Sequence, residues 1–178
     1  DRHLEKKGEQ TAIKWIANNP NEKTICLSYK ELHSEVCKFA NVLKNNGAKK
    51  GDRICLYMPM VPELAIAVLA CARIGAIHSV VFAGFSAKSL SDRINDATCK
   101  ILITADGGFR GEKITPLKDI SDEAMKSATS IEKCIVLERT KSNIKMQKGR
   151  DIWWHDEIQK TTNDCPIEIM DSEDPLFI

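Results

Sequence analysis

Short apolar runs alternate with longer stretches of helical spacing along most of the chain. Four apolar runs predict buried strands: "RICLYM" from Arg53, "IHSVVF" from Ile77, "KILIT" from Lys100 and "KCIVLE" from Lys133. In the stretches between them, apolar residues recur every three or four positions, which is typical of amphipathic helices. Strands that alternate with helices form βαβ units around a parallel sheet. The pattern therefore predicts an α/β fold with a doubly wound, mostly parallel sheet and flanking helices.

Capping residues mark where these helices begin and end. Ser28 opens a capping box, S-x-x-E, Pro62 begins an almost wholly apolar stretch, and Ser86 precedes the next amphipathic stretch. Gly47 and Gly75 stand where two of these helices are predicted to end. The boundaries agree with the strand predictions, because each predicted helix fits between two apolar runs.

The two ends of the chain are less regular. Near the start, "TAIKWIA" and "KTICLSY" predict an antiparallel pair of strands joined by a polar turn. Near the end, Asp151 is predicted to cap a short helix whose Trp153 and Trp154 pack onto the domain, with stacking on a nucleobase as the alternative. The final "SEDPLFI" predicts entry into another strand. Such an end, and a start without Met, lead us to expect a longer natural polypeptide.

Charge and composition exclude several classes of protein. The formal net charge is +1, from 26 basic and 25 acidic residues, which gives no support to a nucleic-acid or membrane-surface partner. Seven cysteines are scattered singly without a C-x-x-C motif, and they predict reduced thiols packed in the core of a cytoplasmic protein. The histidines are dispersed without metal-ligand spacing. His78, on a predicted strand, is expected to be a hydrogen-bonded core residue.

Two glycine-rich loops follow consecutive predicted strands, "FAGFS" from Phe82 and "ADGGFRGEK" from Ala105. Ligands of open parallel sheets bind outside the carboxyl ends of the strands, so the two loops are expected to be neighbours at a binding site. In the second loop, glycines allow close approach to a ligand, while Arg110, Lys113 and the N-terminus of the following helix favour an anion. The residues alone leave two interpretations open: a phosphate-binding corner, or a tight turn with two solvated cations.

Motifs that would name a reaction from the residues alone are absent. There is no G-x-G-x-x-G and no G-x-x-x-x-G-K-[ST]. No Ser-His-Asp or Cys-His arrangement can be proposed from spacing. From its residues the chain is therefore an α/β domain with a candidate site for a phosphorylated ligand.

Several longer segments resemble acetyl-CoA synthetases, the AMP-forming acetate–CoA ligases of the acyl-adenylate superfamily. They are "SYKELHSEVCKFANVL", "LYMPMVPELAIAVLACARIGAIHSVVFAGFSAKSLSDRI", "KILITADGGFRGEK", "GRDIWWHDEI" and "EDPLFI". The resemblance covers essentially the whole chain in order. It implies that residues 1–178 are a fragment of the N-terminal AMP-binding (adenylation) domain, without the rest of that domain and the small C-terminal domain. The fragment is expected to be inactive alone and prone to self-association.

The resemblance also implies a reaction in two steps. Acetate attacks the α-phosphate of MgATP to give acetyl-AMP and pyrophosphate, and coenzyme A (CoA) then displaces AMP to give acetyl-CoA. In the family, the catalytic, ATP, acetate and Mg²⁺ sites belong to parts outside this stretch, so only CoA contacts are expected within it. Three alternatives remain: a synthetase for propionate or another short-chain acid, a stand-alone module that binds CoA or a nucleotide, and a structural or regulatory remnant that contacts another chain through its exposed sheet edge.

The family pattern places two segments of the chain at CoA. The first is expected to lie near the phosphates and consists of Arg110, Gly111, Glu112 and Lys113. The second is expected to lie against the adenine through its backbone and consists of Phe82, Ala83 and Gly84. The chain departs from the pattern twice, since relatives often have Gly in place of Ala83 and some have Arg in place of Lys113. A Lys keeps the charge but loses the bidentate fork of Arg.

Overall fold

Helices and strands alternate along the chain, which a computed structural model describes over residues 1–178. The helices are α1 Leu4–Lys7, α2 Tyr29–Asn45, α3 Pro62–Arg73, α4 Ala87–Ala97, α5 Leu117–Met125 and α6 Trp154–Ile158. The strands are β1 Thr11–Trp15, β2 Ile25–Ser28, β3 Arg53–Tyr57, β4 Ile77–Val80, β5 Ile101–Ala105, β6 Gly108–Arg110, β7 Lys113–Thr115, β8 Lys133–Leu137 and β9 Asp151–Trp153. All four predicted core strands are present.

The central sheet has five strands in the order β4-β3-β5-β8-β9, and every neighbouring pair is parallel. The chain runs outward from β3 to β4 and then crosses back over β3 to β5. Because crossovers between parallel strands are right-handed, this reversal puts α3 and α4 on opposite faces of the sheet. The α/β, doubly wound fold predicted from the sequence is thereby confirmed. Two antiparallel pairs, β1-β2 and β6-β7, lie outside the central sheet.

A single apolar core of 38 buried residues joins the sheet to its helices. Its strands are buried nearly throughout, as expected for a parallel sheet covered on both faces. The predicted caps are confirmed: Ser28 forms both bonds of its capping box, Ser86 accepts from the backbone of Ser89, and Pro62 is the first residue of its helix. All seven cysteines are free thiols; six are buried, and Cys26 is exposed. None of the helices is long and apolar enough to cross a membrane.

The prediction that Asp151 caps a helix is wrong. Asp151 begins β9, and α6 starts three residues later without a side-chain cap. The carboxylate of Asp151 is instead buried beside Lys118 and Arg150. These two cations compensate the cost of removing the carboxylate from water. Trp154 stacks on Phe39, with ring centroids 3.6 Å apart, and so packs this segment onto α2 as predicted.

His78 lies on β4 at the edge of the sheet, next to the last residues of the chain. Its backbone N–H donates to Leu176 O (3.2 Å) and its carbonyl accepts from Ile178 N (3.1 Å). The predicted terminal strand therefore begins as a single parallel bridge to β4. The ring is buried, but its Nδ1 has no hydrogen-bond partner, so the expectation of a hydrogen-bonded histidine is wrong at that atom. Burial lowers the pKa of His78 and keeps the ring neutral at physiological pH.

Candidate functional site

A cavity of about 600 Å³ opens at the carboxyl ends of β3, β4 and β5. The chain leaves β3 for β4 on one side and leaves β5 for β8 on the other, so the strand order reverses between β3 and β5. Ligands of doubly wound sheets bind at such a switch point. Most of the 20 lining residues are hydrophobic, 13 in all. They come mainly from residues 15–18, 58–61, 80–84 and 108–110, with Arg139 after β8.

The cavity brings together the two glycine-rich loops that the sequence singled out. Four of the seven predicted site residues line it: Phe82, Ala83, Gly84 and Arg110. The other three, Gly111, Glu112 and Lys113, lie beside it in the turn and at the start of the returning strand β7. The predicted neighbourhood of the two loops is therefore correct. The contact of these residues with CoA stays a prediction.

The second glycine-rich segment is a β-hairpin, β6-β7, with Arg110 opposite Lys113 in the antiparallel register. The two cations therefore stand side by side across a tight turn. Both are exposed, and neither forms an ion pair or a side-chain hydrogen bond within the chain. Gly111 in the turn has φ +60°, a left-handed conformation that favours glycine. Asn18 Nδ2 donates to the carbonyl of Gly111 (2.9 Å) and ties the turn to the loop after β1.

The other two glycines of this segment have a different role from the one expected. Neither has a positive φ. A Cβ at Gly107 would lie 2.6 Å from Thr140 Oγ1, and a Cβ at Gly108 would lie 3.2 Å from Pro59 Cβ. These glycines therefore allow close packing of the hairpin base within the protein, and the expectation that they admit a ligand is not what their surroundings show.

Asp106 anchors the base of the hairpin and was missed from the sequence. Its carboxylate is buried and accepts backbone N–H bonds of 2.7–3.1 Å from Gly107, Arg139, Thr140 and Ser142. Burial by itself would raise the pKa of Asp106, but these N–H donors outweigh it and hold the pKa below its usual value. An Asp between a buried strand and a glycine is the local signal, yet all its partners except Gly107 lie more than 30 positions away.

Arg139 was also missed, and it occupies one wall of the cavity. Its guanidinium carbon lies 5.3 Å from the ring centroid of Trp15 and 5.0 Å from that of Phe109. Its Nη2 lies 2.9 Å from Glu22 Oε2. The only sequence signal was a basic residue after a buried strand, which is common in surface loops.

The first glycine-rich loop is held from below by Tyr57 at the end of β3. The buried hydroxyl donates to the carbonyl of Phe85 (2.7 Å) and lies 3.4 Å from that of Ala83. These contacts turn the loop so that Phe82 projects at the cavity edge, where its side chain remains 63% exposed. The loop therefore leaves an aromatic side chain exposed at the edge of the cavity.

Comparison with known proteins identifies the family. The chain matches the AMP-binding enzyme family over residues 1–178. It belongs to that family. It is 56% identical over its whole length to the acetyl-coenzyme A synthetase of Desulfatibacillum aliphaticivorans, of which it covers 27%. It is 55% identical to the acetyl-coenzyme A synthetase 2 of Pseudomonas aeruginosa, again covering 27% of that protein. The resemblance to acetyl-CoA synthetases is thereby confirmed.

A solved structure of another protein has the same fold. The acetoacetyl-CoA synthetase from Streptomyces lividans superimposes with a TM-score of 0.88, covering 99% of this chain and 26% of that one. At 22% identity, this likeness shows the fold alone. The chain thus spans about a quarter of the length of the proteins it matches, 27% of the relatives named above.

Proposed function

We propose that the chain is the first part of the adenylation domain of an AMP-forming acetate–CoA ligase. Its identity of 51–56% to proteins named acetyl-CoA synthetase supports acetate as the acid. In the reaction, a carboxylate oxygen of acetate attacks the α-phosphorus of ATP and pyrophosphate leaves. The thiol of CoA then attacks the acyl carbon and AMP leaves. Parts of the protein outside this chain carry out both steps, and this chain contributes to the CoA site.

One observation carries the CoA assignment: two unpaired cations stand at the mouth of a mostly apolar cavity. Arg110 and Lys113 can bind the phosphates of the 3′-phospho-ADP end, Arg through a bidentate fork and Lys as a point charge. The backbone from Phe82 to Gly84 lies at the same cavity and offers a surface for the adenine. Glu112 and Gly111 shape the turn between the two cations.

We expect Arg110→Ala, in the full-length protein, to raise the KM for CoA about tenfold or more, because a charge-assisted contact to phosphate is lost. Dephospho-CoA should show a much smaller difference between the two proteins if Arg110 faces the 3′-phosphate. Steady-state kinetics with each nucleotide measure both effects. Lys148→Ala, an exposed cation away from the cavity, is the matched control. An unchanged KM for CoA in Arg110→Ala would refute the assignment.

The overall reaction is tested by following AMP and acetyl-CoA formation with acetate, ATP and CoA. Turnover that is faster with propionate would favour the related propionyl-CoA synthetase, and CoA binding without turnover would favour a stand-alone module. No group of three or more His, Cys, Asp or Glu side chains in the chain is arranged to hold a metal ion. We propose that other parts of the protein hold the Mg²⁺ that accompanies ATP in this family.

The chain alone is expected to self-associate. The side chains of Leu176, Phe177 and Ile178 are more than half exposed beside the edge strand β4. Exposed apolar residues next to a strand edge favour pairing with a second copy. Light scattering of residues 1–178 should show a mass that rises with concentration, and Phe177→Lys should reduce the rise. A constant monomer mass would contradict this expectation. A cytoplasmic location, proposed from the free thiols, stays a prediction.

A further inference from the structure

We infer that Arg139 is a positioning residue that holds the Arg110 hairpin in place for CoA, an inference that rests on the proposed function. Arg139 follows β8, and its side chain is 18% exposed. Its guanidinium lies between the rings of Trp15 and Phe109, and it pairs with Glu22. A single side chain thus joins three segments that are far apart in the sequence.

Each partner of Arg139 leads to the turn that carries the two free cations. Phe109 is the residue before Arg110 in β6. Trp15 ends β1, and the loop behind it carries Asn18, whose amide donates to Gly111 O. Glu22 lies in the same loop, so this loop is held to Arg139 by the ion pair and to the hairpin turn by the Asn18 hydrogen bond. Losing Arg139 would free the hairpin on this side.

The backbone of Arg139 reinforces the same connection. Its N–H donates to Asp106 Oδ1 (2.8 Å), and Asp106 lies two residues before the first residue of the hairpin, Gly108. The base of the hairpin is therefore held by the backbone of the segment after β8, and its outer strand by the Arg139 side chain. The distance from Arg110 to the rest of the cavity depends on both the backbone bond to Asp106 and the contacts of the Arg139 side chain.

The surroundings of Arg139 favour positioning over direct phosphate binding. Its charge is paired with Glu22 at 2.9 Å, and its guanidinium carbon lies over the rings of Trp15 and Phe109, 5.3 and 5.0 Å from their centroids. Arg110 has no such partners. A guanidinium has several donors on a broad, weakly hydrated group, so it can contact two rings and donate to a carboxylate at once. Lys at this position would keep the ion pair as a point charge but weaken the contacts to the rings.

The test compares Arg139→Met and Arg139→Lys in the full-length protein. We expect Arg139→Met to raise the KM for CoA about tenfold, with Arg139→Lys between it and the original protein. The KM values for ATP and acetate should stay within about twofold, as should the rate of acetate-dependent exchange of pyrophosphate into ATP, because that half-reaction needs no CoA. Glu22→Gln should raise the KM for CoA by a smaller factor. If Arg139→Met does not fold, this variant still tests whether the Arg139–Glu22 ion pair positions the hairpin.

Arg53→Met is the matched control, because Arg53 is a partly buried arginine at the opposite end of the sheet, bonded to Ala97 O (2.8 Å). It should leave the KM for CoA unchanged. If Arg139→Met lowers exchange, turnover and melting temperature together without a selective effect on CoA, Arg139 is merely structural and the inference is overturned. If Arg110→Ala raises the KM for CoA and the Arg139 and Glu22 variants do not, the inference fails while the proposed function stands. No effect from Arg110→Ala would refute the proposed function itself.

Discussion

Replacing Lys118 with methionine is expected to lower the free energy of unfolding by about 3–5 kcal/mol. The ammonium is fully buried and bonds to both carboxylate oxygens of Asp122 (2.8 and 2.7 Å) and to Lys145 O (2.9 Å). It also lies 2.9 Å from Asp151, whose side chain is equally buried. With Arg150, these side chains form a neutral cluster of two cations and two anions. Methionine fills a similar volume but leaves Arg150 as the one cation for two carboxylates, of which Asp151 is fully buried.

Urea unfolding of the full-length protein, followed by Trp fluorescence, gives this difference as a shift of the midpoint. Lys126→Met, at the end of the same helix α5, is the control: its ion pair with Glu123 is exposed, and we expect a change within about 0.5 kcal/mol. Adding Asp122→Asn to Lys118→Met restores neutrality and should recover part of the loss. Equal effects of the Lys118 and Lys126 substitutions would show that the buried cluster contributes nothing special.

Replacing Asp106 with alanine is expected to lower the free energy of unfolding by about 3 kcal/mol or more, because buried N–H groups lose a charged acceptor. Four backbone N–H groups from two segments converge on this one carboxylate, so no other side chain can take its place. The same change should raise the KM for CoA, since the base of the Arg110 hairpin loses its connection to the segment after β8. Asp96→Ala, an exposed carboxylate on α4, is the control for both measurements.

The contribution of Asp106 also depends on pH. Its pKa is lower in the folded protein than in the unfolded chain, so the carboxylate stabilises the fold at pH values above its unfolded pKa of about 3.9. That stability is lost as the pH falls through the lower folded pKa. The stability difference between the original protein and Asp106→Asn should therefore be constant near neutral pH and shrink below about pH 4. Asp151 also has a lowered pKa and contributes its own pH dependence to both proteins, so the difference in stability between them isolates Asp106. A difference that stays constant into acid would contradict the lowered pKa of Asp106.

Local patterns in the sequence were enough for most of the fold. Four strands of the central sheet, the capping box at Ser28 and the helix starts at Pro62 and Ser86 all agree with the structure. The strands follow from short continuous apolar runs, and the helices follow from apolar residues every three or four positions. The helix starts follow from Ser side chains that bond to the backbone of the first turn, or from a Pro at the first helical position. The β9 strand at Asp151 was misread because its three residues are too short to show a period.

The candidate site could be predicted in part. The two glycine-rich loops were placed together correctly, because consecutive strands of a parallel sheet deliver their loops to the same edge. Resemblance to acetyl-CoA synthetases, and not the spacing of glycines, pointed to CoA. The hairpin form of the second loop was missed, since β6 and β7 have only three residues each and lie outside the main sheet.

The sequence by itself determined the α/β class, the position of the core strands and the family, because these follow from short-range periodicity and from extended identity with relatives. Only the tertiary structure decided which polar side chains act together. Arg139 and Glu22 are 117 positions apart, and Asp106 meets its partners after β8 across more than 30. A charged residue looks the same in a sequence whether water or a buried partner compensates it. The order of the strands decides whether a charge meets water or a buried partner, since it brings distant segments to the same edge of the sheet.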